Sequence, residues 1–388
     1  MLDRLYAVID SARDDLRELS DSVWSHPECA YEEFFAVESV KKFMCRYGFE
    51  MVQSYCGIET AFYVEYSNGD GPVFAIAAEY DALPVIGHGC GHNLICAAGC
   101  AAFIAVARIM KEENINGKVI LLGTPGEEGG GGKVKMVEAG CLEGVDAVIM
   151  VHPSGATLGD PGSTANIGLE VIFHGKSAHA AASPEKGINA LDAVNLVFAG
   201  VNTYRQYVPE FVRMHGVITD GGQVPNVIPD YARCTFYLRS AREEWCPILE
   251  QRFRDIVKGA ELMTGATAEI NHFRPYYRAR KPNKVMNAEY VKCMSGYGLK
   301  IKIPETGGRG SSDFGNFSQV IPGIHAYFAA SPVEGLPVHT IEFNEAAKTD
   351  YAFENMLKAA SAQANIVCRF MVEKDFRDAV KKDFELNK

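Results

Sequence analysis

The chain has 388 residues, 47% hydrophobic and 22% charged, with a net charge of −11. That length fits two domains, and the composition is that of a globular protein rather than a disordered or fibrous one. The acidic balance, with a pI of about 5.5, argues against nucleic acid and against an anionic membrane surface as partners, because both call for basic patches.

Residues 1–24 carry charges throughout and lack the apolar core of a secretory signal. Leu2, Leu5, Tyr6, Ile9, Leu16 and Leu19 recur at helical spacing and predict an opening amphipathic helix. A second helix is expected over 31–47, ending at Gly48. The apolar runs 60–66, 73–78, 119–123 and 147–151 read as buried strands of a helix-covered sheet. A helix over 94–111 falls between two of them. Its uncharged stretch, 94–107, is too short to span a bilayer and fits a buried helix. Strands alternating with helices imply an α/β domain. Eleven cysteines without a regular framework indicate a reduced, cytoplasmic chain.

The pattern changes after Thr164. Residues 166–179 read as a strand running into a loop, 189–208 as a helix, 231–240 as a strand, 243–264 as a helix and 267–273 as a strand. Such an order makes a compact α+β sandwich. The α/β character returns near 284, with a helix at 288–297, an apolar segment at 323–329 and a final helix over 345–370. Residues with metal-ligand chemistry lie on both sides of the middle segment. The expected organisation is therefore one discontinuous catalytic domain, 1–166 with 284–388, and an inserted domain, 167–283.

Residues 87–94, Gly-His-Gly-Cys-Gly-His-Asn-Leu, carry the densest chemical signal. A thiolate and an imidazole two residues apart suit a transition metal, and the flanking glycines let the backbone aim both at one point. Glu127 and Glu128 follow a predicted strand, where ligands of open α/β sheets gather. One carboxylate is suited to holding a metal and the other to taking a proton from the attacking water. Taken alone, a Glu-Glu pair or a strand-end histidine such as His152 is more often structural or solvated. The repetition of Glu79 and Asp81, Glu127 and Glu128, and His152 at three strand ends shifts the balance. His339 follows a Pro-containing turn and also reads as a loop histidine; His179 is flanked by small residues and a turn, and on the residues alone its default reading is an exposed surface histidine. GEEGGGGK lacks the Ser or Thr of a phosphate loop, and Ser311-Ser312-Asp313 lacks a nucleophile elbow.

The motifs WSHPECAYEE (24–33), AAEYDALP (77–84), GHGCGHNL (87–94), GTPGEEGGGG (123–132), VHP (151–153), HGKSAHAAASPEKGINALDA (174–193), GGQVPNVIPDYA (221–232), GSSDFGNFS (310–318) and PVHTIEF (337–343) resemble, in this order and spacing, those of the M20 metallopeptidases. The likeness is to the amidohydrolase branch that includes aminobenzoyl-glutamate hydrolases, M20-domain dipeptidases and auxin-conjugate hydrolases. It implies an α/β/α zinc-peptidase-like catalytic domain with an inserted α+β, ferredoxin-like dimerisation or lid domain. It implies two divalent ions, zinc or manganese, bridged by Cys90 and completed by His92, Glu128, His152 and His339. Glu127 would be the general base, and Asp81 would orient a ligand. His179 would reach the active site of a second copy in a homodimer, and Asn226, Arg239 and Ser311 would contact substrate. The implied substrate is an N-acyl or N-aminoacyl amino acid, such as an aminobenzoyl-glutamate conjugate or a dipeptide. The sequence departs from many M20 enzymes at Glu79, where they carry a histidine ligand.

Two other functions compete. Cys90 and His92 can be read as a thiol nucleophile and its base, although that leaves Glu128, His152 and His339 without a role. A non-catalytic binding protein on the same scaffold is the other, and the intact set of ligands and base argues against it.

Overall fold

The computed structural model describes residues 1–304, 307–308 and 310–386. The chain divides into two compact units. One comprises Met1–Gly162, Arg280–Gly308 and Ser312–Lys388; the other is Ser163–Ala279 with a short segment ending at Ser311.

The larger unit opens with helices α1 (Leu2–Ser11) and α2 (Arg13–Ser25). The single opening helix expected from sequence is broken at Ala12, whose ψ of 11° departs from the helical value. Helix α3 (Phe34–Arg46) receives its first-turn cap from Glu28, whose carboxylate accepts from the Phe35 and Ala36 amides at 2.9 and 3.0 Å. Then follow β1 (Val52–Gln53), β2 (Phe62–Asn68), β3 (Val73–Ala78), α4 (His92–Glu112), β4 (Gly117–Gly123), α5 (Gly132–Glu138) and β5 (Ala147–Ser154).

The smaller unit consists of β6 (Ala165–His174), α6 (Ala190–Tyr204), β7 (Val212–Asp220), β8 (Tyr231–Ser240), α7 (Cys246–Thr264) and β9 (Thr267–His272). Its antiparallel sheet has the order β7-β8-β6-β9, the strand order of a ferredoxin-like fold. Val171, Phe173, Phe236 and Leu238 pack with Val194 of α6 and Phe253 of α7 in its core. Strand β7 was not anticipated from sequence: it is an edge strand, exposed from His215 to Thr219, and so lacks the apolar alternation that marks a half-buried strand.

The larger unit resumes with α8 (Lys284–Gly296), α9 (Phe314–Ser318), β10 (Gly323–Ala329), α10 (Ile341–Ala346), α11 (Asp350–Val372) and α12 (Lys374–Leu386). The final helix expected over 345–370 is thus two helices, because Thr349 caps a new start by accepting from the Ala352 amide.

Six strands form one sheet in the order β1-β2-β4-β3-β5-β10, with β4, β3, β5 and β10 parallel. Side chains alternate between two cores. Phe74, Ile76 and Ala78 of β3 join the core with α4 and α11, whereas Ala75 and Ala77 join Met136 of α5 and Phe314 and Phe317 of α9 on the opposite face. This is an α/β/α arrangement. Helix α4 has 21 residues and by length and composition reaches membrane-spanning size, longer than its uncharged stretch suggested; it is a core helix, with 94% of its most apolar window buried.

Candidate active site

The carboxyl ends of β3, β4 and β5 converge, as do ligand-bearing loops in open parallel sheets. Glu79 and Asp81 follow β3, Glu127 and Glu128 follow β4, and His152 lies near the end of β5. Cys90 precedes α4, and His92 is its first residue. Between them Gly91 takes a φ of 71°, and a Cβ there would lie 2.6 Å from Pro153 Cγ of β5. Only glycine permits both the left-handed turn and that close approach. The C-terminal loop is tied to the same place: the His339 amide donates to the Gly89 carbonyl at 2.8 Å, and His339 itself has a φ of 63°.

The candidate ligands and base read from sequence therefore meet in the larger unit. Ligand atoms of Cys90, His92 and His152 lie within 4.8 Å of one another, as do those of Cys90, Glu128 and His339, and those of His92, Glu127 and Glu128. Cys90 belongs to the first two groups. The orientation of the rings suits metal binding. His92 Nδ1 is 3.0 Å from Asp81 Oδ1, and His152 Nδ1 is 2.6 Å from the Pro153 carbonyl oxygen. Both Nε2 atoms are thereby left for a ligand, the usual outer arrangement of a metal-binding histidine. His92 Nε2 and Glu128 Oε1 are buried and have no hydrogen-bond partner. Buried polar atoms are normally satisfied, so these donors fit divalent ions. His88, the other histidine of the glycine loop, hydrogen-bonds the Val23 carbonyl at 3.0 Å instead.

The electrostatics follow from burial and crowding. Burial, then the neighbouring carboxylates of Glu79 and Glu128, raise the Glu127 carboxyl well above its ordinary range. Burial opposes the charge on Asp81, yet His92 and the Glu128 amide, which donates to Oδ2 at 2.9 Å, hold its pKa below the usual value. Burial and the nearby His92 hold His152 well below the ordinary imidazole value, and so neutral. Burial pushes the Cys90 thiol well up, the opposite of what an activated nucleophile needs; a coordinating metal deprotonates such a thiol outright.

Sequence reasoning assigns no role to Lys133 or Glu33 and weighs Asp313 only as part of its turn with Ser311 and Ser312, yet all three are buried close by. Lys133 Nζ lies 2.5 Å from Glu79 Oε1 and 2.7 Å from Asp313 Oδ1, and the Lys133 amide donates to Asp313 Oδ2 at 3.0 Å. Burial opposes the charge on Lys133, but Asp313, Glu79 and Glu127 outweigh it and raise its pKa. Gly132 makes the approach possible, since a Cβ there would lie 1.8 Å from the Pro125 carbonyl oxygen. Glu33 accepts from the Gly126 amide at 2.9 Å, and burial together with the charge of Asp81 pushes its carboxyl up to about 7.

The remaining candidates lie in the smaller unit. His179 is exposed, with Nδ1 accepting from the Ala181 and Ala182 amides at 3.3 and 3.2 Å. The exposed Asn226 accepts, through its backbone carbonyl, from the Ala180 amide at 2.9 Å. Arg239 is half-buried; Nη1 lies 3.5 Å from Ser311 Oγ, its guanidinium sits over the Tyr237 ring, and its Nε is buried without a hydrogen-bond partner. Ser311 Oγ is also 3.2 Å from Thr164 Oγ1.

The sequence profile of peptidase family M20/M25/M40 matches residues 75–366. The chain belongs to that family. It is 36% identical to the Xaa-Arg dipeptidase of Mus musculus across 97% of this chain and 90% of that protein. It is 33% identical to a p-aminobenzoyl-glutamate hydrolase polypeptide of Escherichia coli K12 across 76% of this chain and 66% of that protein. The fold also matches the crystal structure of the Bacillus subtilis YXEP protein, described as a dinuclear metal binding peptidase from the M20 family, with a TM-score of 0.64 and 20% identity over 90% of this chain and 99% of that one. This M20 protein is a hydrolase.

Proposed function

We propose that the protein is a metal-dependent amidohydrolase that cleaves the amide bond of N-acyl or N-aminoacyl amino acids. The observation that carries this reading is the pair of ligand groups sharing Cys90, with Glu127 beside them. Cys90, His92 and His152 would hold one ion and Cys90, Glu128 and His339 the other. Two divalent ions, zinc or manganese, would polarise the scissile carbonyl and render a water nucleophilic near neutral pH. Glu127 takes the proton of that water and delivers it to the leaving amine. Asp81 orients His92. His179, carried on a second copy in a homodimer, polarises the carbonyl oxygen, while Asn226, Arg239 and Ser311 bind the substrate, with the Arg239 guanidinium suited to its free carboxylate. The smaller unit is thus the dimerisation and lid domain. The names of the relatives support dipeptides with a C-terminal basic residue and aminobenzoyl-glutamate as first substrates to try. The abundance of free cysteines, eight of them buried, supports a reducing, cytoplasmic setting.

Glu127→Gln is expected to keep two ions per protomer and to lose about 10²–10⁴-fold in turnover. Elemental analysis and a mass-spectrometric assay with zinc- and manganese-loaded protein read both quantities. A Gln variant with normal turnover removes Glu127 as the base. Activity that survives complete metal removal returns the case to a thiol mechanism at Cys90.

A further inference from the structure

Lys133 stands apart in the set of buried residues: it is the one buried lysine among the described residues. A buried ion-pair network is costly to desolvate and is weak evidence for stability. Its position suggests another purpose. Glu79 has two oxygens in different surroundings. Oε1 is bound by Lys133 at 2.5 Å. Oε2 is buried, accepts no hydrogen bond, and lies 3.5 Å from His92 Nε2. That nitrogen is the one left free once Nδ1 is committed to Asp81. Glu79 is therefore poised to compete for the atom that a metal ion would use. Asp313 anchors Lys133 from the far side through both its ammonium and its amide.

We infer that Lys133 is a positioning residue that restrains Glu79 from closing onto His92 Nε2 and so keeps that nitrogen available for a metal ion. The inference rests on the two-ion reading of the site. Without the ammonium, Glu79 is free to turn, accept a hydrogen bond from Nε2–H and take His92 out of ligation. Only the ion of the Cys90, His92 and His152 group is affected; the group of Cys90, Glu128 and His339 keeps its ion.

The test is zinc content per protomer after equilibration in zinc-buffered solution, with the visible spectrum of the cobalt-substituted protein as a second readout. Wild-type protein should hold two ions. Lys133→Met should hold one, with affinity for the second lowered by at least about tenfold. The double variant Lys133→Met/Glu79→Met removes the competitor along with its restraint and should return to two. Lys133→Met with two ions at wild-type affinity, or a double variant that stays at one, overturns the inference. Glu79→Met alone guards against a single variant that fails to fold: it should hold both ions at wild-type affinity or tighter. Loss of an ion in Glu79→Met means that Glu79 supports the metal rather than competing for it, which also overturns the inference. Wild-type protein with fewer than two ions defeats the two-ion reading itself, and the inference falls with it.

Discussion

His92 has its two ring nitrogens in opposite circumstances, one bonded to Asp81 at 3.0 Å and the other buried without a hydrogen bond. Such a carboxylate fixes the tautomer and the ring plane of a ligand. Asp81→Asn is expected to weaken metal binding about 10–100-fold with the fold intact, measured by competition with a chromogenic chelator. Glu33 supplies a pH-dependent prediction. Its carboxyl is raised to about 7 in the fold, so its protonated form is the stabilising one. The stability it contributes is complete below the ordinary carboxyl value of about 4.5 and is lost as pH rises through about 7. Glu33→Gln should flatten this decline in denaturant titrations of metal-stripped protein from pH 5 to 8; an unchanged slope contradicts it. At this scale the sequence is uneven as a guide. Cys90 and His92 are legible because glycines flank two soft donors within three residues. Lys133 is not, because beside a glycine run it looks solvated until the topology brings it to Glu79 and Asp313, 54 and 180 positions away.

Elements buried on both faces were the most readable. The strands at 73–78 and 323–329 have the bounds that their apolar runs gave. Elements with one exposed face were less so: β7 is exposed along most of its length, and α12 buries only Phe376, Val380 and Phe384. Breaks within helical patterns at Ala12 and Thr349 are not legible, because apolar periodicity continues across both while what interrupts it is local: a backbone turn at Ala12 and a side-chain cap at Thr349. Helix α4 has a structural role besides carrying His92. It fills the core between the sheet and α11, and Phe103 on it is fully buried, its ring centroid 5.0 Å from that of Phe49. Phe103→Ala is expected to cost about 3–5 kcal/mol, read as a shift in the denaturant midpoint. A cost below about 1 kcal/mol is the signature of a site that has collapsed.

For the whole molecule, metal and stability are coupled, because an ion that binds the native site and not the unfolded chain stabilises by mass action. Stripped protein should therefore melt lower than loaded protein. Free ion at a hundredfold excess over its dissociation constant should restore roughly 2.7 kcal/mol per site, and identical melting curves contradict the proposed centre. The division into two units was legible from the way metal-type residues bracket the middle segment, whereas the assignment of Ser311 to the smaller unit was not, since it depends on a segment that leaves the larger unit far along the chain. The register of β5 with β10, from Val148 opposite Gly323 to Ser154 opposite Ala329, has a further consequence for biosynthesis. A ribosome delivers β5 long before its neighbour, so the edge of β5 waits unpaired, a hazard for association with other nascent chains. His152 arrives with β5, whereas His339 follows β10 in the chain. On the proposed ligand set, the last donor thus follows the strand that covers the vulnerable edge, so a full complement of ions would mark a chain whose sheet is complete.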